Sequence, residues 1–205
     1  MEIGSCLSSF ELLIIAGLLE NANRIKTYGR KDRDDSPADT LDEFFNEIEP
    51  LTFLSEEIRR CILAEDEFAD DASPTLKHIR RSKLLINERI HNQLNSMVNG
   101  SLRTYLQDAV ITMRNNRYCI PVKAEYKGQV SGMIHDQSST GSTLFIEPKN
   151  IVELNNKVVE LELKIEREIK RILSEITIEI LEKEFEISTS HKIIAKLDFI
   201  FSKAK

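Results

Sequence analysis

The chain has 205 residues, of which 41% are hydrophobic, so it can bury the core of one large domain or two small ones. Its three cysteines form no C-x-x-C pair and no apolar run is long enough for a membrane span or signal peptide, which argues against disulfide frameworks, zinc sites and membrane proteins. The net charge of -6 is uneven, because residues 1–74 carry -11 whereas residues 75–113 carry +4 and residues 114–150 carry +2.

Two capping boxes predict helices near the start of the chain. Ser8 with Glu11 predicts a helix from about Ser9 to Thr27, since each residue can bond the other's backbone N–H. Thr40 with Glu43 predicts a second, short helix that ends at Pro50. The polar stretch GRKDRDDSPAD between them is typical of a loop.

Two long, narrow apolar stripes predict two long helices. The pair Ser73-Pro74 is typical of a helix start, and apolar residues then recur at steps of three, four and seven until Gly100. A second stripe follows Pro148 and runs from Ile151 to Ile180. Helices with such narrow stripes cover each other's seams, so we expect the two to pack antiparallel as an arm.

The segment between the long helices has the alternating pattern of strands. AVITMR and RYCIPVK read as a hairpin around Asn115-Asn116, because asparagine tolerates the left-handed backbone that a two-residue turn needs. GMIHD and TLFIEP are two further strand candidates, joined by QSSTGS. Pro121 within a strand favours an edge position or a bulge.

The predicted fold is mainly α with a small β-rich insert, in which two long antiparallel helices carry a short-stranded tip. Five parts follow along the chain: a helical part (1–74), an outgoing long helix with a short helix (75–110), the β-rich tip (111–150), the returning long helix (151–190) and a helical end (191–205).

Catalytic chemistry has little support in the sequence. The common nucleotide-binding and hydrolase motifs are absent, and the histidines lack a second ligand at a metal spacing, so no catalytic or metal residue is predicted. His135, Asp136 and Ser138 resemble a triad in type, but they are near neighbours and real triads converge from separate elements. We expect Asp136, Ser138 and Gly141 to shape the turn, with the polar groups bonding nearby backbone and Gly141 at positive φ.

Basic residues in and beside the predicted tip are candidate phosphate contacts, since clustered Lys and Arg on a rigid surface suit a nucleic-acid backbone. The alternative is that they are ordinary solvated surface charges. These candidates are Arg114, Arg117, Lys123, Lys127 and Lys149.

Three strings carry a family resemblance: RNNRYCIPVKAEYKG, HDQSSTGSTLFIEP and IVELNNKV. Together they resemble the middle of the bacterial MutS-like proteins of the second type, the group that usually carries a C-terminal Smr domain. The likeness extends over the whole chain, from EIGSCLSSFELLIIAGLL to DFIFSKAK. Two departures are small: Thr140 stands where the family usually has serine, and Asn116 where aspartate is common.

The resemblance implies a fragment made of core helices, lever and clamp, without the ATPase and Smr nuclease domains. ATP and Mg²⁺ would bind in the missing ATPase domain, so no cofactor is expected here. Family members resemble dimeric, ATP-driven clamps that act on branched DNA and suppress recombination, and some are associated with collided ribosomes. A bacterial, cytoplasmic location follows from the same resemblance.

Three functions remain open from the sequence. The main hypothesis is a lever-and-clamp module that binds the backbone of branched or double-stranded DNA without sequence specificity. The alternative is a structural arm that contacts a protein or a ribosome and its rRNA, with no direct DNA contact. A hydrolase centred on His135 is the third, and the missing motifs disfavour it.

Overall fold

The structure is a computed structural model that describes residues 6–31 and 40–203. Within this part the chain is mainly helical with small antiparallel sheets, which confirms the predicted fold class. Most of the predicted polar loop (residues 32–39) and the side chain of Thr40, the predicted cap of the second helix, lie outside the described residues.

The described helices are α1 (Ser9–Lys31), α2 (Thr40–Glu47), α3 (Thr52–Cys61), α4 (Pro74–Asn99), α5 (Val152–Glu182) and α6 (Glu184–Lys203). The strands are β1 (Ile62–Ala64), β2 (Glu67–Phe68), β3 (Thr112–Arg114), β4 (Arg117–Lys123), β5 (Gly132–Gln137) and β6 (Thr143–Pro148). Short 3-10 segments cover Asp70–Ala72, Arg103–Tyr105 and Ala124–Gln129.

The chain divides into two compact units. The first, called here the helical unit, comprises Met1–Leu76 and Glu168–Lys205. The second, called the sheet unit, comprises Lys77–Arg167 and contains β3 to β6.

Helix α1 begins as its capping box predicts. The backbone N–H of Ser8 donates to Glu11 Oε2 over 2.8 Å, and the N–H of Glu11 donates to Ser8 Oγ over 3.3 Å. The helix continues to Lys31, beyond the predicted end at Thr27. Its stripe of fully buried residues, Leu12, Ala16 and Leu19, places one face in the core of the helical unit.

The helical unit also holds a small hairpin that the sequence did not predict. β1 pairs antiparallel with β2, with Ile62 opposite Phe68, and both of these residues are buried. The strands are three and two residues long, too short for an alternating pattern to stand out, and the turn between them contains acidic residues.

Ser73 caps α4 as predicted. Its hydroxyl accepts the N–H of Leu76 over 2.9 Å and donates to Glu168 Oε1 over 2.6 Å. Glu168 also bonds Arg171, and hydrogen bonds from Arg171 and then Ser73 hold the pKa of Glu168 below its ordinary value. The Ser73 hydroxyl therefore satisfies a backbone N–H in the first turn of α4 that has no partner within the helix, and it also holds the buried carboxylate of Glu168 in place.

In the sheet unit the two long helices run antiparallel, as predicted. Lys83, early in α4, has its Nζ 3.0 Å from Glu162 of α5. Asn150, just before α5, has its Nδ2 3.5 Å from Met97 Sδ near the end of α4, so the two helices run in opposite directions. Their stripes share one core with the inner face of the sheet; its buried members include Ile90, Leu94, Val98, Ile120, Val122, Leu144, Ile146, Ile151 and Val158.

The four-stranded sheet has the order β3-β4-β6-β5, and each neighbouring pair is antiparallel. The predicted hairpin is present: Arg114 pairs with Arg117, and Asn115 and Asn116 both have positive φ, at 51° and 59°. The second predicted turn joins β5 to β6, and a register shift between Ile134 and Asp136 marks a bulge in β5.

The prediction for Pro121 needs a correction, because β4 is an inner strand and the irregularity lies in β5. Strand β3 pairs only with the first three residues of β4, so it does not extend beside Pro121. The Pro121 carbonyl faces away from β6 and accepts the N–H of Gln107 over 2.9 Å. Since the N and O of a strand residue point to the same side, the missing N–H of Pro121 removes no bond to β6.

Candidate nucleic-acid interface

The five predicted basic residues do not form a single cluster. Arg114 and Arg117 flank the β3–β4 turn at one end of β4, and Lys123 lies at the other end, about 20 Å away at the usual rise per strand residue. Lys127 lies in the 3-10 segment Ala124–Gln129, and Lys149 follows β6 directly.

Arg114 is held against the outer face of the sheet. Its guanidinium carbon lies 3.8 Å from the centre of the Phe145 ring, and its Nε lies 3.0 Å from Asp136 Oδ2. Its Nη1 also donates to the carbonyl of Met113 over 2.8 Å. These contacts use a large part of its bonding capacity within the sheet unit.

Arg117 is bound more completely, through the fully buried carboxylate of Glu147. Arg117 Nη1 donates to Glu147 Oε1 over 2.6 Å, and its Nη2 donates to Asn156 Oδ1. His135 Nε2 lies 2.5 Å from Glu147 Oε2, and Asn155 Nδ2 donates to Glu147 Oε1 over 2.8 Å. Glu147 is therefore the centre of a network that joins β4, β5, β6 and α5.

The network keeps Glu147 ionised. Burial by itself raises the pKa of this carboxyl group, but hydrogen bonds from Asn155, His135 and Arg117 outweigh burial and hold the pKa below its ordinary value. A carboxylate that is removed from water needs such partners. The sheet unit can therefore bury Glu147 only because Arg117, His135 and Asn155 bind it.

Sequence reasoning missed Glu147. It ends an apolar strand, TLFIEP, where one charged residue reads as the solvent-facing end. Its partners lie at positions 117, 135 and 155, and only the fold brings them together. The signal in the sequence was the presence of both His135 and Glu147 in the HDQSSTGSTLFIEP string.

The turn residues bond local backbone. Asp136 Oδ1 accepts the N–H of Gln137 over 2.8 Å, and Ser138 Oγ accepts the N–H of Thr143 over 3.1 Å. Gly141 has a φ of 72°, a conformation that favours glycine. In this geometry His135 contacts Glu147, while Ser138 Oγ is bonded to the Thr143 N–H within the turn.

The lysines are placed differently from the arginines. Lys127 and Lys149 are exposed, and neither has an ion-pair partner among residues 6–31 and 40–203. Lys123 is half-buried, with its Nζ 5.8 Å from the centre of the Tyr126 ring. Of the five candidates, the lysines are thus the residues whose charge is available to an external anion.

Charge separates between the two units. The sheet unit carries 14 Lys and Arg against 9 Asp and Glu, a net charge of +5, whereas the helical unit carries 14 against 25, a net charge of -11. A basic unit that also carries exposed lysines is the electrostatic pattern expected of a phosphate-binding surface.

The described residues contain neither a membrane-spanning helix nor a cluster of metal ligands. No helix in the described ranges is long and apolar enough to cross a membrane. Among the same residues, no group of three or more His, Cys, Asp or Glu side chains is arranged to hold a metal ion.

Comparison with known proteins shows strong similarity to one kind of protein. Proteins named Endonuclease MutS2 match the whole chain: that of Agathobacter rectalis is 52% identical over 205 residues, and that of Lachnospira eligens is 48% identical over 206. The protein of that name from Lachnoclostridium phytofermentans is 46% identical over 210 residues. The chain spans about a quarter of the length of these relatives, 26% of each. No protein-family model matches it.

Proposed function

Since the chain is MutS2-like over its whole length, we propose that it is the lever-and-clamp part of a MutS-like protein that acts on DNA. In this proposal the sheet unit contacts the nucleic-acid backbone without sequence specificity. The substrates are branched DNA or recombination intermediates, and the biological outcome is suppression of homologous recombination.

The observation that carries this proposal is the separation of charge between the two units. The net charge of +5 lies in the sheet unit, although the chain as a whole carries -6. Phosphate contacts need Lys and Arg but no base-reading side chains, so such a unit suits binding without sequence specificity.

The proposed mechanism is mechanical, and the 205 residues perform no bond-breaking step. ATP and Mg²⁺ bind to an ATPase portion of the longer protein, and the nuclease portion is likewise separate. The protein acts as a homodimer in the bacterial cytoplasm. ATP binding pivots the long helices α4 and α5, and this rigid-body movement opens or closes the clamp.

The second candidate is a structural arm that contacts a ribosome or another protein. The helical unit favours it, because this unit is strongly acidic and exposes aromatic side chains that suit a protein partner. Phe185 is 80% exposed and Phe199 is 60% exposed. In this alternative the sheet unit makes no direct contact with DNA.

Binding of the 205-residue chain to a fluorescent four-way DNA junction tests the first proposal. Anisotropy titrations across a salt series should give an affinity that falls log-linearly with salt, with a slope of about -0.9 per phosphate contact on duplex DNA. A control variant removes the exposed Lys170 and Lys192 of the helical unit, and we expect it to bind as the wild type does at 0.3 M salt, where the field of that unit is screened. No affinity for the junction, in this chain and in the longer protein, would reject DNA contact and favour the arm.

A further inference from the structure

The sheet unit contains a cleft where the end of α4, the end of the 3-10 segment Ala124–Gln129 and the start of α5 meet. It has a volume of about 580 Å³ and is lined by Met97, Leu102, Gln129, Val130, Ser131, Lys149, Asn150 and Glu153. We call the cleft lined by these eight residues the α4–α5 cleft. Because all of them belong to the sheet unit, the cleft lies within one compact body.

Backbone contacts fix the walls of this cleft. The N–H of Lys149 donates to the carbonyl of Ser131 over 3.0 Å, which joins the segment after β6 to the segment before β5. The N–H of Leu102 donates to the carbonyl of Met97 over 3.1 Å, and Asn150 Nδ2 lies 3.5 Å from Met97 Sδ. The polar side chains of the cleft therefore lie on backbone segments that are hydrogen-bonded to one another or to the end of α4.

The polar groups of the cleft suit an anion. Lys149 supplies an exposed ammonium group, and Gln129, Ser131 and Asn150 supply side-chain amides and a hydroxyl, the neutral groups that bond phosphate oxygens in proteins. Glu153 is the one carboxylate in the lining. Two further exposed cations flank the lining in the chain: Arg103 follows Leu102, and Lys127 precedes Gln129 by two residues.

The surrounding sequence is also poor in carboxylates. From Arg89 to Gln107, which covers the end of α4 and the segment after it, there is no Asp or Glu. The same holds from Tyr126 to His135. Few local carboxylates compete with a phosphate for the cations around the cleft.

We propose that the α4–α5 cleft is the phosphate-binding site of the sheet unit, with Lys149 as its central cation and Arg103 and Lys127 beside it. Arg114 and Arg117 are framework residues, since they already bind Asp136 and Glu147. This proposal rests on the proposed function and makes it specific: the ligand is the phosphodiester backbone of a nucleic acid, bound at the cleft and not at the β3–β4 turn.

The test compares two triple variants of the 205-residue chain on the four-way DNA junction. The first carries Arg103→Ala, Lys127→Ala and Lys149→Ala. The second removes the same charge from exposed α4 positions of the same unit, with Lys77→Ala, Arg81→Ala and Arg89→Ala. A third variant, Arg114→Gln, removes a framework cation, and urea unfolding checks that each variant is folded.

We expect the cleft variant to lose at least tenfold in affinity at low salt, with a salt slope smaller by two to three units, about one for each lost phosphate contact. The α4 variant should lose less, through the general field alone, and Arg114→Gln should bind within about twofold of the wild type. Equal losses in the two triple variants, or a larger loss in Arg114→Gln, would overturn the site while leaving DNA binding intact. Failure of the wild type to bind would instead remove the proposed function, and the site with it.

A duplex RNA of matched length tests whether the phosphates belong to DNA or to RNA. Polyglutamate as a competitor tests whether the cleft prefers phosphates to carboxylates. Weaker binding of the cleft variant to either nucleic acid supports the site, and the tighter ligand identifies the source. Displacement of the junction by polyglutamate at equal charge would mean that the cleft takes acidic protein surfaces, which contradicts the proposal.

Discussion

Glu147 shows how one residue can stabilise a small sheet. It is fully buried, and its carboxylate binds Arg117, His135 and Asn155, which belong to three other elements. A charge inside a protein is tolerated only with such partners, and removal of one partner leaves the others unpaired. The side chain therefore matters for stability whether or not the sheet unit binds a nucleic acid.

We expect Glu147→Ala to lower the free energy of unfolding by about 3 kcal/mol, the lower end of the range for broken buried pairs, because Arg117 keeps some access to water. Urea unfolding followed by circular dichroism measures the change. Glu166→Ala is the matched control, since Glu166 is exposed on α5 and should change stability by less than about 0.5 kcal/mol. Similar small losses in both variants would show that the Glu147 network contributes little.

The same carboxylate predicts a pH dependence. The pKa of Glu147 lies below its ordinary value, so its stabilising effect is complete above the unfolded pKa of about 4.3 and disappears as pH falls through the folded pKa. The stability difference between the wild type and Glu147→Gln should therefore decrease as the pH falls below the unfolded pKa of the carboxyl group. Urea midpoints of both proteins across this range test it, and a difference that does not decrease as the pH falls below the unfolded pKa would contradict it.

Gly132 marks a close approach between the backbones of β5 and β6. A Cβ atom at this position would lie 2.1 Å from the carbonyl oxygen of Glu147 and 2.8 Å from Ile146 Cγ2, so β5 and β6 would have to separate. We expect Gly132→Ala to cost about 2 kcal/mol by overpacking, measured by urea unfolding. Gly128→Ala is the control, because nothing lies within 4 Å of its Cβ, and it should be close to neutral.

At the scale of elements, the β3–β4 hairpin depends on its two asparagines. Both have positive φ, and Asn115 Nδ2 also donates to the carbonyl of His135 over 3.2 Å, which ties the turn to the exposed strand β5. Asn116→Val should cost about 1–2 kcal/mol, because a branched residue disfavours the left-handed backbone. Thermal unfolding measures it beside Asn116→Gly, which should be neutral or slightly stabilising; an equal loss in both would point to a side-chain contact of Asn116 instead.

Elements set by local chemistry could be predicted from the sequence. The cap at Ser73 starts α4, the asparagine pair forms the hairpin turn, and Gly141 takes positive φ, because in each case neighbouring residues decide the backbone. The position of Pro121 could not be predicted, since it depends on where β3 ends and on Gln107. Glu147 was missed for the same reason: residues distant in sequence decide whether a charge is buried.

For the candidate site, too, the sequence predicted the local property, its charge, but not the contacts that depend on the fold. Composition could indicate that the middle of the chain is basic, and this holds for the folded sheet unit. Composition could not show that Arg114 and Arg117 are bonded within the fold while Lys127 and Lys149 are exposed, because ion pairing is a property of the packed structure. Basic residues in one short stretch of sequence thus have two different roles.

At the scale of the whole molecule, the two units carry opposite charge, -11 and +5. An acidic unit repels a phosphate backbone through its long-range electrostatic field. This repulsion favours binding at the basic sheet unit over binding elsewhere on the chain, but it does not increase the affinity. Salt screens this field over about 10 Å at 0.1 M, while direct phosphate contacts weaken more gradually and log-linearly. The two effects can therefore be separated by salt.

Neutralising exposed carboxylates of the helical unit should strengthen nucleic-acid binding at low salt alone. Glu56, Glu179 and Glu182 are exposed and have no ion-pair partner among the described residues. With all three changed to Gln, we expect an affinity for the four-way junction about threefold higher at 20 mM salt and unchanged at 0.3 M, because the removed term is a screened field. Anisotropy titrations at both salt concentrations decide it, and a gain that persists at 0.3 M would mean that these positions contact the nucleic acid directly.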